Sequence, residues 1–277
     1  MKTDNLDIGI GKTKQLSLRV SVGALVKVLF KNPENRKMML ALERIATLRQ
    51  INGKAEVVII AKPFGGGVRI TDTKVLKQYI GDFNYDSEQS KREEDFRILV
   101  RPESWGKIKE ICREQLKNSG KKIVDATPDR ELAEEFEDSL KIILNPNRYI
   151  LKLLGMVTEE KPVETDSVRA QGIPTVRIYY LYEAVIISSE IIKMMLSNSK
   201  QNSDNDLKKI TLEDKRNGGK GRANAILTLE FDELKKMYNS LQHERLNEPV
   251  YFNEHQLDSN IPAIIKGINS PKYQYLS

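Results

Sequence analysis

The chain has 277 residues, of which 39% are hydrophobic and 30% are charged. This length and composition suit a globular fold with a substantial core and exclude a disordered or fibrous chain. The formal net charge of +6 is compatible with a polyanionic partner such as a nucleotide or a nucleic acid. Cys112 is the only cysteine, which excludes an internal disulfide and a cysteine-rich zinc site.

Targeting signals are not evident in the sequence. The first residues lack the apolar segment of a secretory signal, and no stretch reaches the length of a membrane span. We therefore expect a soluble, cytoplasmic protein with no membrane partner. The basic residues are spread along the chain without a long block, so charge alone gives little support for a nucleic-acid partner.

The first quarter of the chain predicts two strands with a helix between them. Residues 15–30 are rich in Val and Leu and partly alternate, which predicts a strand that ends in a turn at 32–35. Residues 36–50 are predicted to form a helix because apolar side chains recur at helical intervals. These side chains are Met38, Met39, Leu42, Ile45 and Leu48. The apolar residues 55–61 predict a buried strand.

The middle of the chain predicts a surface loop, a strand and two helices. The charged residues 86–95 indicate the loop, and residues 96–100 indicate the strand. An apolar stripe within 102–118 predicts the first helix. The second, acidic helix is predicted over 128–143, with Thr127 as its N-cap and a proline in its first position.

The last third begins with the longest predicted strand, residues 175–188, which alternates apolar and polar side chains. The Ser- and Asn-rich residues 197–205 predict a disordered loop. A basic, glycine-rich turn is predicted at 215–222. The remaining predictions are a strand at 225–231 and helices at 232–242 and 262–268.

The acidic helix carries four carboxylates at positions i, i+3, i+4 and i+7, which share one helix face. They are Glu131, Glu134, Glu135 and Asp138. A solvated acidic face, favoured by the helix macrodipole near its N-terminus, is one explanation. A hard divalent cation is the other, because it would replace the mutual repulsion of the carboxylates by attraction.

A glycine turn, Gly65–Gly67, follows the predicted strand at 55–61. It is not a Walker motif, since no Gly-Lys-Ser/Thr follows, and it lacks the Gly-x-Gly-x-x-Gly spacing of a dinucleotide site. Taken alone, three glycines indicate a tight bend or a close approach of another group to the backbone.

Together, the strand, the glycine turn and the acidic helix resemble the Nudix hydrolase superfamily. In that family a Gly-Gly turn after a strand leads to a helix whose Arg-Glu-hydrophobe-x-Glu-Glu core binds Mg²⁺. The run from Arg130 to Glu135 matches this core at every defined position. The resemblance implies an α/β fold with a mixed sheet flanked by helices. It also implies Mg²⁺- or Mn²⁺-dependent hydrolysis of a nucleoside diphosphate-linked or similar diphosphate substrate.

The resemblance also implies roles for particular residues. The metal ligands would be Glu131, Glu134 and Glu135, with Glu131 and Glu135 as the catalytic carboxylates. Arg130 would orient the glutamates by ion pairing. The side of the site that faces the phosphates or substrate would consist of Gly66, Gly67, Arg69 and Arg97.

Three features depart from the family pattern. An insertion at about 71–125 separates the glycine turn from the helix, Lys122 stands where the upstream Glu is expected, and Glu137 replaces a small glycine. The missing upstream Glu and the substitution at Glu137 favour an alternative, a catalytically inactive Nudix-like nucleotide-binding sensor or regulatory module. A nucleic-acid-associated protein, suggested by the charge and the basic turn near Lys220, is a third hypothesis.

The predicted organisation is a Nudix-like core, residues 1–196, that carries the insertion at about 71–125. Residues 206–277 would form a C-terminal extension packed on the core. The insertion and the extension would shape the substrate pocket or an interface between copies in a homo-oligomer.

Overall fold

A computed structural model describes residues 17–51, 54–117, 123–163, 172–241, 249–265 and 274–276. These residues form a mixed sheet flanked by helices, which confirms the predicted α/β class. The strands are β1 (Leu18–Lys31), β2 (Met38–Ile51), β3 (Lys54–Lys62), β4 (Arg69–Ile70), β5 (Asn84–Tyr85), β6 (Arg97–Val100), β7 (Val124–Asp125), β8 (Tyr149–Val163), β9 (Thr175–Ile186), β10 (Arg222–Glu230), β11 (Val250–Phe252), β12 (His255–Leu257) and β13 (Gln274–Leu276). The helices are α1 (Thr73–Ile80), α2 (Glu88–Arg92), α3 (Trp105–Lys117), α4 (Asp129–Leu140), α5 (Ser189–Gln201), α6 (Asp204–Arg216), α7 (Phe231–Ser240) and α8 (Ile261–Ile265).

Within the described ranges the large sheet has eleven strands, and its main path is β11-β12-β3-β2-β1-β9-β8-β13. β10 pairs with β2, β6 pairs with β1, and β5 pairs with β6, while β4 and β7 form a separate two-stranded sheet. β1 and β9 run parallel, as do β3 and β12. The other strand pairs are antiparallel. The large sheet thus joins strands from the first quarter, the middle and the last third of the chain.

The prediction of a helix at 36–50 is wrong, because this segment forms strand β2. Its apolar residues face both sides of the sheet, with Met39 and Ala41 in one core cluster and Leu40 and Leu42 in another. A strand buried on both faces carries a nearly continuous apolar run, which periodicity alone cannot tell from a helix. The chain here is held by pairing with β1, β3 and β10, partners that no local pattern reveals.

The prediction of a disordered loop at 197–205 is also wrong, because these residues contain the end of α5, a two-residue connection and the start of α6. The Ser203 hydroxyl accepts a hydrogen bond from the Asp206 N–H, and the Asp206 carboxylate accepts one from the Ser203 N–H, which makes a capping box. The polar composition therefore reflects helix capping and not disorder.

The acidic helix exists as α4, but its start differs from the prediction. Pro128 is the N-cap residue and no side chain caps the helix, so the predicted N-cap role of Thr127 is wrong. The helix ends at Leu140, followed by Lys141 in the left-handed conformation. The loop predicted at 86–95 contains the short helix α2, which is capped by Ser87.

Strands β1, β3, β6, β9 and β10 and helices α3, α7 and α8 confirm the corresponding predictions with small shifts at their ends. The predicted ends at residues 15–16, 118, 242 and 266–268 lie outside the described residues. None of the helices in the described ranges is both long and apolar enough to cross a lipid bilayer.

The core cluster that positions the candidate site lies between the sheet and α4. Leu132 and Phe136 on the buried face of α4 pack with Val26 and Val28 of β1 and with Phe64 beyond β3. The rings of Phe64 and Phe136 lie 5.0 Å apart, centroid to centroid. This packing fixes α4 directly over the end of β3, where the glycine turn begins.

Candidate functional site

The glycine turn continues β3 along the edge of β1. The N–H groups of Val26 and Ala24 donate to the carbonyls of Phe64 (2.8 Å) and Gly66 (2.9 Å). Gly65 has a φ of 128°, and a Cβ there would overlap the carbonyl of Ala24. The turn is therefore held against β1 by main-chain hydrogen bonds, at a distance that requires glycine.

Helix α4 presents two of its carboxylates to this turn. The Gly65 N–H donates to Oε2 of Glu135 at 2.7 Å. The Glu131 carboxylate lies so close to Gly66 that a Cβ on this glycine would overlap it. The structure thus brings together two of the predicted site carboxylates and the predicted glycine turn, although Gly65 and Glu135 are 70 positions apart in the sequence.

A lysine occupies the centre of the buried part of the site. Nζ of Lys62, at the end of β3, lies 2.9 Å from Oε1 of Glu135 and 2.8 Å from Oε2 of Glu43 on β2. The Glu43 side chain has no solvent exposure, and its Oε1 accepts a hydrogen bond from Asn224 at 2.7 Å. We call Glu43, Lys62 and Glu135 the buried triad.

The triad holds two carboxylates against one ammonium group, and its pKa values reflect this. Burial raises the pKa of Glu135 to about 8, with a further contribution from the Glu43 carboxylate, against the opposing effects of Lys62 and the Gly65 N–H. The pKa of Lys62 is raised because its two carboxylate neighbours outweigh the effect of its burial. Lys62 therefore keeps its charge, and Glu135 is the carboxyl of the triad that holds a proton more readily than an ordinary glutamate.

A second polar group surrounds the exposed side of the turn. Arg130 forms ion pairs with Glu131 and with Oε1 of Glu134, the latter at 3.1 Å. Arg97 lies 3.0 Å from the buried Asp95, whose carboxylate a Cβ on Gly67 would contact at 2.6 Å. Burial raises the pKa values of both Glu131 and Asp95.

The carboxylates predicted as metal ligands do not converge on one point. Glu135 is engaged by Lys62 and the Gly65 N–H, while Glu131 and Glu134 pair with Arg130, and Glu134 is exposed. Among the described residues, no group of three or more His, Cys, Asp or Glu side chains is arranged to hold a metal ion. The residues as placed do not fit a divalent cation, because protein cations occupy the positions beside the carboxylates.

The residues predicted to face phosphate are dispersed. Gly66 and Gly67 lie against carboxylates, Arg69 is exposed on the short strand β4, and Arg97 pairs with Asp95. Arg130 has the ion pairs that its predicted orienting role requires. Lys122, at the position of the family's upstream Glu, lies outside the described residues.

Sequence reasoning missed Glu43, Lys62 and Asp95. Glu43 lies in a segment whose apolar spacing predicts a helix, and Asp95 lies in a segment whose charged composition predicts a surface loop. Lys62 directly precedes the Pro-Phe-Gly-Gly-Gly run, so a charge at the end of a buried strand was the one available signal.

A cleft of about 190 Å³ opens beside the triad on the same face of the sheet. It is lined by Ile45, Thr47, Arg49, Ile60, Lys62, Arg222 and Asp258. Alternation along β2 places residues 43, 45, 47 and 49 on one face, so the cleft continues outward from Glu43. Three of its lining side chains are cationic and one is acidic.

Comparisons of the chain with protein-family models, with curated proteins and with solved structures gave no match.

Proposed function

We propose that this protein is a Nudix-like module that binds a nucleotide or another diphosphate-containing small molecule and acts as a sensor or regulator without metal-dependent hydrolysis. The contact between the glycine turn and helix α4 supports the Nudix-like part of the proposal, since both halves of the sequence resemblance meet there. The net charge of +6 suits an anionic ligand.

One observation carries the choice of binding over hydrolysis. The Lys62 ammonium lies between Glu43 and Glu135, at 2.8 and 2.9 Å. A divalent cation would need the oxygens of Glu135, and it would have to approach a positive charge that the surrounding carboxylates stabilise. Of the three carboxylates that the resemblance implies as metal ligands, Glu135 thus pairs with Lys62, and Glu131 and Glu134 pair with Arg130.

The proposal is tested with full-length protein and a panel of nucleoside diphosphate derivatives. Melting temperature and product release are measured with Mg²⁺, with Mn²⁺ and with a chelator. We expect at least one compound to raise the melting temperature, because a ligand that binds only the folded state stabilises it. We expect this rise to persist in the chelator and to occur without product release.

Variants sharpen the test. Lys62→Gln removes the cation and leaves two carboxylates facing each other, so its melting temperature should rise with Mn²⁺ while that of the wild type does not. Glu137→Gln, an exposed carboxylate on the same helix, is the matched control for Glu135→Gln. Metal-dependent turnover in the wild type that Glu135→Gln abolishes and Glu137→Gln preserves would overturn the proposal.

Mg²⁺- or Mn²⁺-dependent hydrolysis of the same class of compound is the second candidate. The observation in its favour is Glu131, whose side chain retains 17% exposure beside Gly66 and whose pKa is raised by burial. A carboxylate of raised pKa at an accessible turn is a suitable general base. This candidate predicts turnover that Glu131→Gln abolishes in the panel described above.

A further inference from the structure

The residues that line the cleft beside the buried triad are suited to binding an anion. Ile45 and Ile60 line it with apolar surface, which lowers the local dielectric and strengthens charge interactions. Thr47 and two arginines, Arg49 and Arg222, are also among the lining residues. A planar guanidinium presents paired N–H donors that match the oxygens of a phosphate group.

Arg222 is oriented by its neighbours. Its Nε donates to Oδ1 of Asn224 at 2.9 Å, and its Nη2 lies 3.5 Å from Oε1 of the buried Glu43. Asn224 also donates to Glu43, so the three side chains form a connected group at the cleft wall. An arginine held in this way loses less conformational freedom when it binds an anion.

Arg49 supplies a guanidinium group that is not engaged in an ion pair with any other described residue. Its side chain is exposed. Lys62 is different, because its charge is shared between Glu43 and Glu135. The lining of the cleft therefore combines one oriented arginine, one arginine without an ion pair to the described residues, and the carboxylate of Asp258.

The volume limits what can enter. About 190 Å³ is below the range of roughly 300–1,000 Å³ that encloses a whole drug-sized ligand. The cleft can thus hold a charged group of a larger ligand while the rest lies outside. We propose that this cleft binds the phosphate end of a diphosphate-containing ligand, with Arg49 and Arg222 as its principal contacts; this inference rests on the proposed binding function.

The probe is inorganic pyrophosphate, titrated calorimetrically into the full-length protein at about 0.15 M salt, where long-range attraction is screened. The proteins compared are the wild type, Arg49→Gln, Arg222→Gln and a control, Arg216→Gln, which removes an exposed arginine at the end of α6. We expect each cleft variant to weaken binding by about tenfold or more, and the control to leave it unchanged. Because Arg222 contacts Glu43, the exposed Arg49 gives the deciding comparison, and circular dichroism verifies that each variant is folded.

Pyrophosphate that binds all four proteins equally, or binds none, would overturn the assignment of the cleft. If a nucleotide from the panel binds the wild type and Arg49→Gln with equal affinity, the assignment of the cleft as the phosphate site is wrong, but the binding function is supported. If Arg49→Gln weakens pyrophosphate binding and the wild type also shows metal-dependent turnover, the assignment of the cleft is supported and binding without hydrolysis is overturned. If neither pyrophosphate nor any nucleotide of the panel binds the wild type, the assignment of the cleft and the proposed binding function are both overturned.

Discussion

At Gly65 the backbone φ is 128°, and an added Cβ would overlap the main-chain carbonyl of Ala24 in β1. At Gly66 the atom in the way is the tip of the Glu131 side chain, which can rotate aside. We therefore expect Gly65→Ala to lower the free energy of unfolding by about 3 kcal/mol or more, from backbone strain and overpacking. Gly66→Ala should cost less than about 1 kcal/mol, because a flexible side chain relieves the overlap.

Urea unfolding of the two variants, followed by circular dichroism, measures this difference. Each variant is the control for the other, since the same atoms are added at neighbouring positions. Similar losses at the two glycines would show that Glu131 cannot move and that α4 is fixed more rigidly over the turn than the contacts indicate.

Lys62 shows why the site could be predicted only in part. The acidic run and the glycine turn were recognised because each is a local motif. The lysine's partners lie on two other elements, with Glu135 73 positions away along the chain, so the pairing depends on the fold. Local spacing therefore indicated which carboxylates belong to the site, but not that a protein cation would lie between two of them.

Helix α5 protects the free edge of β10. Oδ1 of Asn198 accepts the Ile226 N–H at 2.8 Å, and Oγ of Ser199 accepts the Thr228 N–H at 3.0 Å. An exposed strand edge is a site for unwanted pairing with other chains, and side chains from a neighbouring helix satisfy it here. Asn198 also donates to the carbonyl of Ser139 at 3.1 Å, which connects β10, α5 and α4.

We expect Asn198→Ala to lower the free energy of unfolding by roughly 1–3 kcal/mol, because it leaves a strand N–H and a helix carbonyl without their partner. Asn205→Ala, an exposed asparagine in α6, is the matched control and should change stability little. Chemical denaturation gives both values. Equal effects of the two substitutions would show that water replaces the Asn198 contacts without cost.

The elements that the sequence predicted well are those with one dominant local signal. Strands β1, β3 and β9 have clear apolar patterns, and α4 has an apolar stripe beside its acidic face. Prediction failed at 36–50 and 197–205, where two structures are compatible with the same pattern. Residues 36–50 form a strand because both edges of this segment pair with other strands of the sheet. The polar residues 203–206 begin a helix because Ser203 and Asp206 cap it reciprocally.

For the whole molecule, the buried triad predicts how folding stability depends on pH. Glu135 has its pKa raised from 4.5 to about 8, so between these values the folded protein holds a proton that the unfolded chain releases. Stability from this group is fully present below about pH 4.5 and is lost as the pH rises toward 8, by up to about 1.4 kcal/mol per pH unit. Lys62, whose pKa is raised, stays protonated throughout this interval.

Glu135→Gln isolates this contribution. Other groups titrate nearby, including Asp95 and Glu131 with raised pKa values and His255 with a lowered one, and their effects cancel when wild type and variant are compared. We expect the wild type to lose stability relative to Glu135→Gln from pH 5 to pH 8, measured by urea unfolding at several pH values in that range. Parallel curves would mean that Glu135 is ionised in the folded protein throughout this interval, so that Lys62 outweighs the effect of burial on its pKa.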